Sequence, residues 1–310
     1  MNHLNTIGMS SFNLKKSSLL LVGAAALIGN CLRAEIPVAE DLSLYGYIDM
    51  FYFDPDNGGE SVTDVAEYEF GLNFTPEESM WSAVTEVSFN GSDARFETAT
   101  ITYASSDELS FSVGNILSYQ GFETFDATGL YQFSYSGPSV LYSAGYAVGA
   151  AMDYVTDDFA VGVWAGDTDS DVSLEFLLAY TGIEGFTLKG IYADDPGYET
   201  VNFWASYEVG DFTFATEFVD NDYAVAGDNN GFTDISELES LMFLAYYSFD
   251  SAGITFRYSD IETDNGDYDK FTISPSYTFS DNVLGLLELS FVDDGATDPT
   301  ELAAEIIFTF

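Results

Sequence analysis

The chain has 310 residues, with 52 acids against seven bases, one cysteine and one histidine. Phosphate contacts need Lys and Arg, so a chain this acidic excludes nucleic acid as a partner. No run of 18 apolar residues occurs, which argues against membrane-crossing helices, while aromatics reach 16%.

Residues 1–16 are polar and end on Lys15 and Lys16, and Leu19 to Ile28 form a short apolar run. That run is about half of the ~20 residues a helical bilayer span needs. A basic start, a short apolar stretch and a small residue before a cut describe a secretory signal peptide. The expected cleavage is after Ala34, although Leu32 sits where a small residue is preferred. The stretch Leu27 to Cys31 also looks like a degraded lipoprotein box, with Asn30 a poor fit.

Loss of 1–34 removes His3, Cys31, Lys15, Lys16 and Arg33. Arg95, Lys189, Arg257 and Lys270 then face all 52 acids, a net charge near −48. Residues 35–310 hold no disulfide framework, no thiolate metal site and no serine–histidine chemistry. No catalytic residue is assigned and no enzyme is expected. A secreted β-sandwich using paired carboxylates as a glycosidase is the weakest alternative.

From residue 42 onward, period-two alternation recurs between turn signals. The expected strands are 42–53, 64–75, 80–90, 96–104, 108–116, 144–154, 158–166, 171–181, 186–193, 199–209, 212–220, 236–249, 254–262, 268–279, 283–292 and 300–310. That is sixteen, with fourteen as the alternative count. Short turns (76–79, 105–107, 155–157, 182–185, 210–211, 250–253, 280–282) alternate with longer or more acidic links (54–63, 91–95, 117–143, 167–170, 194–198, 221–235, 263–267, 293–299). Short turns on one rim and longer loops on the other describe a transmembrane antiparallel β-barrel over 35–310, and a sandwich has no reason to alternate them. Aromatics near strand ends (Tyr52, Phe53, Trp81, Tyr103, Tyr180, Tyr192, Phe279, Phe308, Phe310) fit interfacial girdles.

The last ten residues place Leu302, Ala304, Ile306, Phe308 and Phe310 on one face and Glu301, Ala303, Glu305, Ile307 and Thr309 on the other. A strand with Ile306 and Phe308 at alternate positions, closing on Phe310, resembles the terminal strand read by the barrel-assembly machinery in Gram-negative outer-membrane proteins. The resemblance implies export to the outer membrane, with that machinery and outer-membrane lipid as partners.

The longest link, 117–143, is too rich in aromatics for a solvated loop. It carries Tyr119, Phe122, Glu123, Phe125 and Asp126, and it follows the fifth expected strand. In this it resembles the third loop of sixteen-stranded general porins, which folds into the lumen, and the matching region of OmpL-like porins. Such a porin sets wall bases against loop acids, which here means Lys189, Arg257 and Lys270 opposite Glu123 and Asp126. Each base pairing locally with a lumen acid is the other reading. A strand at 129–136 paired with 139–148 is the alternative to the inserted loop, and would change the count by two. Trp204 falls on a polar face and could pack against the loop.

Inward acids Glu67, Glu69, Glu175, Glu208, Glu217, Glu288 and Glu305 outnumber the bases, so an open lumen would prefer cations. Clusters at 54–58, 167–171 and 264–269 resemble fragments of calcium loops without the full ligand spacing. The expectation is an outer-membrane porin, homotrimeric like most sixteen-stranded porins, with no cofactor beyond Ca²⁺ at such loops. The alternative is a non-conducting surface or adhesion barrel with acidic external loops.

Overall fold

Alternation of apolar and polar side chains is what a strand needs when one face meets lipid and the other the lumen. The structure, a computed structural model, describes residues 35–310 apart from 56–58, 91–92, 138–140, 143–144, 169–170, 224–235, 265 and 296–297. The expected signal peptide 1–34, with its cut site and Cys31, lies outside the described residues. Among the described residues no helix is long and apolar enough to cross a membrane.

In chain order the strands are β1 (Ile36–Ala39), β2 (Leu42–Asp54), β3 (Val62–Phe74), β4 (Trp81–Asn90), β5 (Asp93–Ala104) and β6 (Leu109–Leu117). After a long connection come β7 (Tyr146–Val155), β8 (Phe159–Thr168), β9 (Asp171–Ile183), β10 (Phe186–Asp195), β11 (Tyr198–Val209) and β12 (Phe212–Tyr223). The chain ends with β13 (Glu237–Phe249), β14 (Ala252–Thr263), β15 (Gly266–Ser280), β16 (Val283–Asp293) and β17 (Thr300–Thr309).

Each strand from β2 pairs antiparallel with its successor, and β17 pairs with β2 from Leu302↔Asp54 to Thr309↔Tyr47. Sixteen strands therefore close into a barrel, which removes the open edge that would recruit other chains. These are the sixteen expected segments. The extra strand β1 pairs with β2 through Ile36↔Leu44 and is too short for alternation to register.

The register puts the pattern on two faces. Along β9, Val172, Leu174, Phe176 and Leu178 are exposed while Ser173, Glu175, Leu177 and Ala179 are buried. Exposed Phe111, Phe203, Phe243, Phe256 and Phe308 continue the apolar exterior around the barrel. A soluble monomer rarely exposes so continuous an apolar surface, whereas a lipid-facing belt consists of one.

The short connections fall where expected, but several outer links are shorter than their acidity implied. β5 starts at Asp93, β10 ends at Asp195, β11 starts at Tyr198 and β15 starts at Gly266. Strands that rise past the bilayer stand in water on both faces, so polarity does not mark where they stop. Ladder hydrogen bonds decide that.

Candidate functional site

The connection between β6 and β7 turns into the barrel. Its described part holds one short 3₁₀ turn, Ala127–Gly129, and no strand, so the alternative of a hairpin through 129–136 is not adopted. Such a segment carries backbone groups that must find partners away from water. Wall side chains supply them. Ser118 Oγ donates to Glu175 Oε1 at 2.7 Å, and the Tyr119 amide donates to Glu175 Oε2 at 2.8 Å. The Gly121 amide donates to Asn202 Oδ1 (3.0 Å) and the Phe122 amide to Glu217 Oε1 (2.8 Å).

Two glycines make this path passable. Gly121 has φ +94°, a conformation L side chains rarely adopt, where the chain bends across β11. Gly162 on β8 leaves room for the Tyr119 ring, which would lie 2.8 Å from an added Cβ. The Tyr119 hydroxyl then donates to Asp153 Oδ1 on β7 at 2.7 Å. Burial first, and the Asp153 and Glu175 carboxylates second, hold the Tyr119 phenol well above its usual range. Tyr142 donates to Glu217 Oε2 at 2.6 Å, and burial followed by Glu217 and Glu123 raises its phenol in the same way.

The far end of the loop is held by β14 and β16. Arg257 Nη1 lies 2.6 Å from Glu123 Oε1, with both side chains buried. Glu123 also accepts from Gln132 Nε2 (2.7 Å) and the Ser136 amide (2.6 Å). Arg257 Nη1 donates to the Ser134 carbonyl, and Ser134 donates its amide and hydroxyl to Glu288 at 2.9 and 2.5 Å. Thr255 and Ser259 donate to the carbonyls of Tyr131 and Ser136.

Apolar contacts fill the space beneath. Phe122 meets Trp204 edge-on, ring centroids 5.5 Å apart, in a cluster with Tyr119, Trp164, Leu177, Ile191, Met242 and Leu244. Full burial of each large side chain contributes about 1.5–3 kcal/mol. A second cluster joins Leu141 to Val219, Leu238 and Ile261. The β8–β14 side of the barrel interior is thus a packed core. Inward positions on the other side, including Asn73, Val84, Thr100, Thr102 and Ser112, keep partial exposure.

The expected site residues are brought together unevenly. Tyr119, Phe122 and Glu123 are buried between loop and wall. Phe125 remains more open, its ring 5.1 Å from Tyr146 and under the Arg95 guanidinium at 5.4 Å. Asp126 reaches Glu69 on β3 and Glu97 on β5. The wall bases do not face the loop acids across an open gap. Arg257 is in contact with Glu123, Lys189 lies over Trp204 at 5.4 Å, and Lys270 pairs with Glu301 at 3.1 Å.

Of the inward acids, Glu175, Glu217 and Glu288 accept hydrogen bonds from the loop and so are not bare wall charge. Glu305 is inward and buried, and Glu208 is exposed near the short-turn rim. Ile306 and Phe308 face outward, and Phe310 exchanges backbone hydrogen bonds with Gly46 while its ring lies 5.5 Å from Phe70. Phe53 is a correction to the expected girdle. Its ring packs at 6.0 Å on Phe133 of the loop, with Phe51 at 5.3 Å, because β2 turns its odd positions inward.

Asn202, Asn221, Thr255 and Ser259 were not singled out from the sequence, although each holds the loop. Their signal is a small polar residue at an inward position, which most lumen positions share. The acidic clusters at 54–58, 167–171 and 264–269 each include residues outside the described set. The Asp264 carboxylate accepts from the Ser236 amide and hydroxyl, bonds that hold it below the usual carboxylate range.

No protein-family model matches the chain, and no curated protein matches it by sequence. Solved structures do match by fold. An anion-selective porin from Comamonas acidovorans superposes with a TM-score of 0.70 at 14% identity, covering 87% of this chain and 99% of that one. OmpF of Salmonella typhi, in complex with daunomycin, gives 0.69 at 15%, covering 89% and 100%. OmpT, an outer membrane protein of Vibrio cholerae, gives 0.68 at 12%, again covering 89% and 100%. At such identities the likeness is one of architecture: the chain is a sixteen-stranded antiparallel barrel, the fold it shares with these solved structures.

Proposed function

We propose that this chain is an outer-membrane porin that passes small hydrophilic solutes and ions through a narrow, cation-preferring path. The observation that carries the reading is the placement of the loop. It is hydrogen-bonded to β7, β9, β11, β12, β14 and β16 and touches the β2–β6 side at Phe125, Asp126 and Phe133, so the route runs past those residues along that side. On that side Glu67 of the wall and Asp126 of the loop keep partial exposure, with Asp49, Glu69, Glu86 and Glu97 buried behind them. The bases Lys189, Arg257 and Lys270 are buried on β10, β14 and β15, and the one base on the route side, Arg95, is paired with Glu97. Selectivity then follows from the field of the acids, and no residue makes or breaks a bond. The likeness of 119–135 to OmpL-like porins supports the same reading. Export by the segment 1–34, folding by the barrel-assembly machinery and assembly as a trimer belong to it. One solved OmpT structure is described as a trimer form.

Planar-bilayer recordings in a salt gradient test the proposal. The expected result is small conductance with a reversal potential of cationic sign. Silence from well-folded protein, or anion preference, overturns it. One observation favours a second reading, a non-conducting barrel with a surface role. The apolar cluster around Phe122, Trp164 and Trp204 occupies lumen that an open pore leaves to water. Silent bilayers together with heat-modifiable gel migration of the folded protein select that reading.

A further inference from the structure

The loop is fastened to β7–β16 by hydrogen bonds, but its tip meets β3 and β5 acid against acid. One carboxylate oxygen from each of Glu69, Glu97 and Asp126 lies within 4.8 Å of the other two. An independent feature singles out Glu97. Its side chain is fully buried, and its Oε1 accepts from Arg95 Nη2 at 2.5 Å. Its other oxygen, Oε2, is buried without an amine, amide or hydroxyl donor, and beyond Arg95 the carboxyl has the Glu69 acid as its hydrogen-bonding neighbour. A buried carboxylate oxygen with no donor is costly unless something positive meets it. Arg95 supplies one positive charge to three acids, and its own side chain is 59% exposed.

We propose that Glu69, Glu97 and Asp126 hold a divalent cation of the Ca²⁺ class, which staples the tip of the inserted loop to β3 and β5. Three hard carboxylate oxygens suit Ca²⁺ or Mg²⁺ over the thiophilic metals. Size favours Ca²⁺. At metal–oxygen distances of about 2.3–2.6 Å, two ligands of one ion stand at most about 5 Å apart. The three oxygens, each within 4.8 Å of the others, lie inside that limit. Water or backbone carbonyls would complete a shell of about six to eight oxygens. A staple here ties down the part of the loop that the anchors on β14 and β16 do not reach. It also places a positive charge beside the proposed route, so calcium would lower its preference for cations. The site itself stands on geometry whether or not the barrel conducts.

The test is calorimetric titration of the full-length folded barrel with calcium chloride alone. One saturable event is expected, weakened at least tenfold in Glu97→Gln and in Asp126→Asn. Asp264→Asn, in an outer turn, should leave it unchanged. Asp126→Asn sits on the loop and leaves the barrel wall intact, so loss of binding there cannot be put down to misfolding of the wall. Calcium should also protect the bonds around Phe125 from proteolysis in the parent protein and in neither site variant. Absence of a saturable event, or an event that both site variants retain, overturns the proposal. Conductance without calcium binding removes the site and leaves the porin reading, while binding by a silent barrel does the reverse.

Discussion

Arg257 on β14 and Glu123 on the inserted loop form an ion pair at 2.6 Å, buried at both ends and closed by residues 134 apart in sequence. A buried pair of this kind is weak evidence for net stability, because desolvation offsets much of the attraction. Its loss from one side is another matter. Arg257→Ala leaves Glu123 charged and buried with only Gln132 and Ser136 as donors. The expected cost is about 3–5 kcal/mol. Limited proteolysis should show new cleavage within 118–137 while heat-modifiable migration persists. The double change Arg257→Met with Glu123→Leu should recover much of the loss. Equal damage in the single and double variants contradicts this account.

Phe122 is the loop's apolar anchor on Trp204. Its truncation to Ala is expected to destabilise by about 3–5 kcal/mol, combining lost burial with a cavity. Trp164 and Trp204 are fully buried, while Trp81 is 56% exposed on the outer surface. Tryptophan emission should therefore shift to the red in Phe122→Ala through Trp204. An unchanged spectrum would mean that the contact is not formed in solution.

Tyr119 sits in the space left by Gly162. Gly162→Val should push the ring away and break the bond to Asp153, at a cost of about 1–3 kcal/mol. The change is read as a lower unfolding midpoint. Gly210→Ala serves as a control, since nothing lies within 4 Å of its added Cβ and only its positive φ (+61°) is strained. If Gly162→Val proves no worse than Gly210→Ala, the steric argument fails.

The phenols of Tyr119 and Tyr142 are raised by burial and by neighbouring carboxylates. A raised folded pKa means that the stabilising contribution is complete below the unfolded value of about 10 and is lost as pH climbs through the folded one. In alkaline titration followed by tyrosinate absorbance, Tyr119→Phe and Tyr142→Phe should remove no signal near pH 10. They should instead remove part of the late signal that accompanies release of the loop. Loss of early absorbance in either variant contradicts the assignment.

Closure of the barrel gives a last prediction. Phe310 exchanges two backbone hydrogen bonds with Gly46, at 2.9 and 3.0 Å, and its ring lies beside Phe70 and Phe308. Phe310→Ala keeps the backbone bonds and removes the ring. The ring is only half-buried, so its removal costs less than the ~1.5–3 kcal/mol of a fully buried side chain at the seam. The heat-modifiable form should appear more slowly on refolding, with Phe279→Ala on an exposed site as the comparison.

The strand count and the two faces were legible because period-two alternation is a local property. Ser173, Glu175, Val172 and Leu174 declare their sides without reference to any other strand. The position of the loop was legible for a similar reason, since aromatics from Tyr119 to Tyr135 need something to pack on. Phe53 and the shortened links at 91–95, 194–198 and 263–267 were misread where water touches both faces or where an apolar ring turns inward. Along those stretches polarity no longer reports direction.

The sequence by itself determined that sixteen alternating segments would make a barrel with its longest connection after the fifth. Only the tertiary structure decided what that connection does to the interior. Glu175, Asn202, Glu217, Arg257 and Glu288 become anchors because closure of the barrel brings β9–β16 around to the loop. Contacts across a lumen depend on shear, register and closure, which are collective properties of all the strands. No local pattern in a single strand contains them.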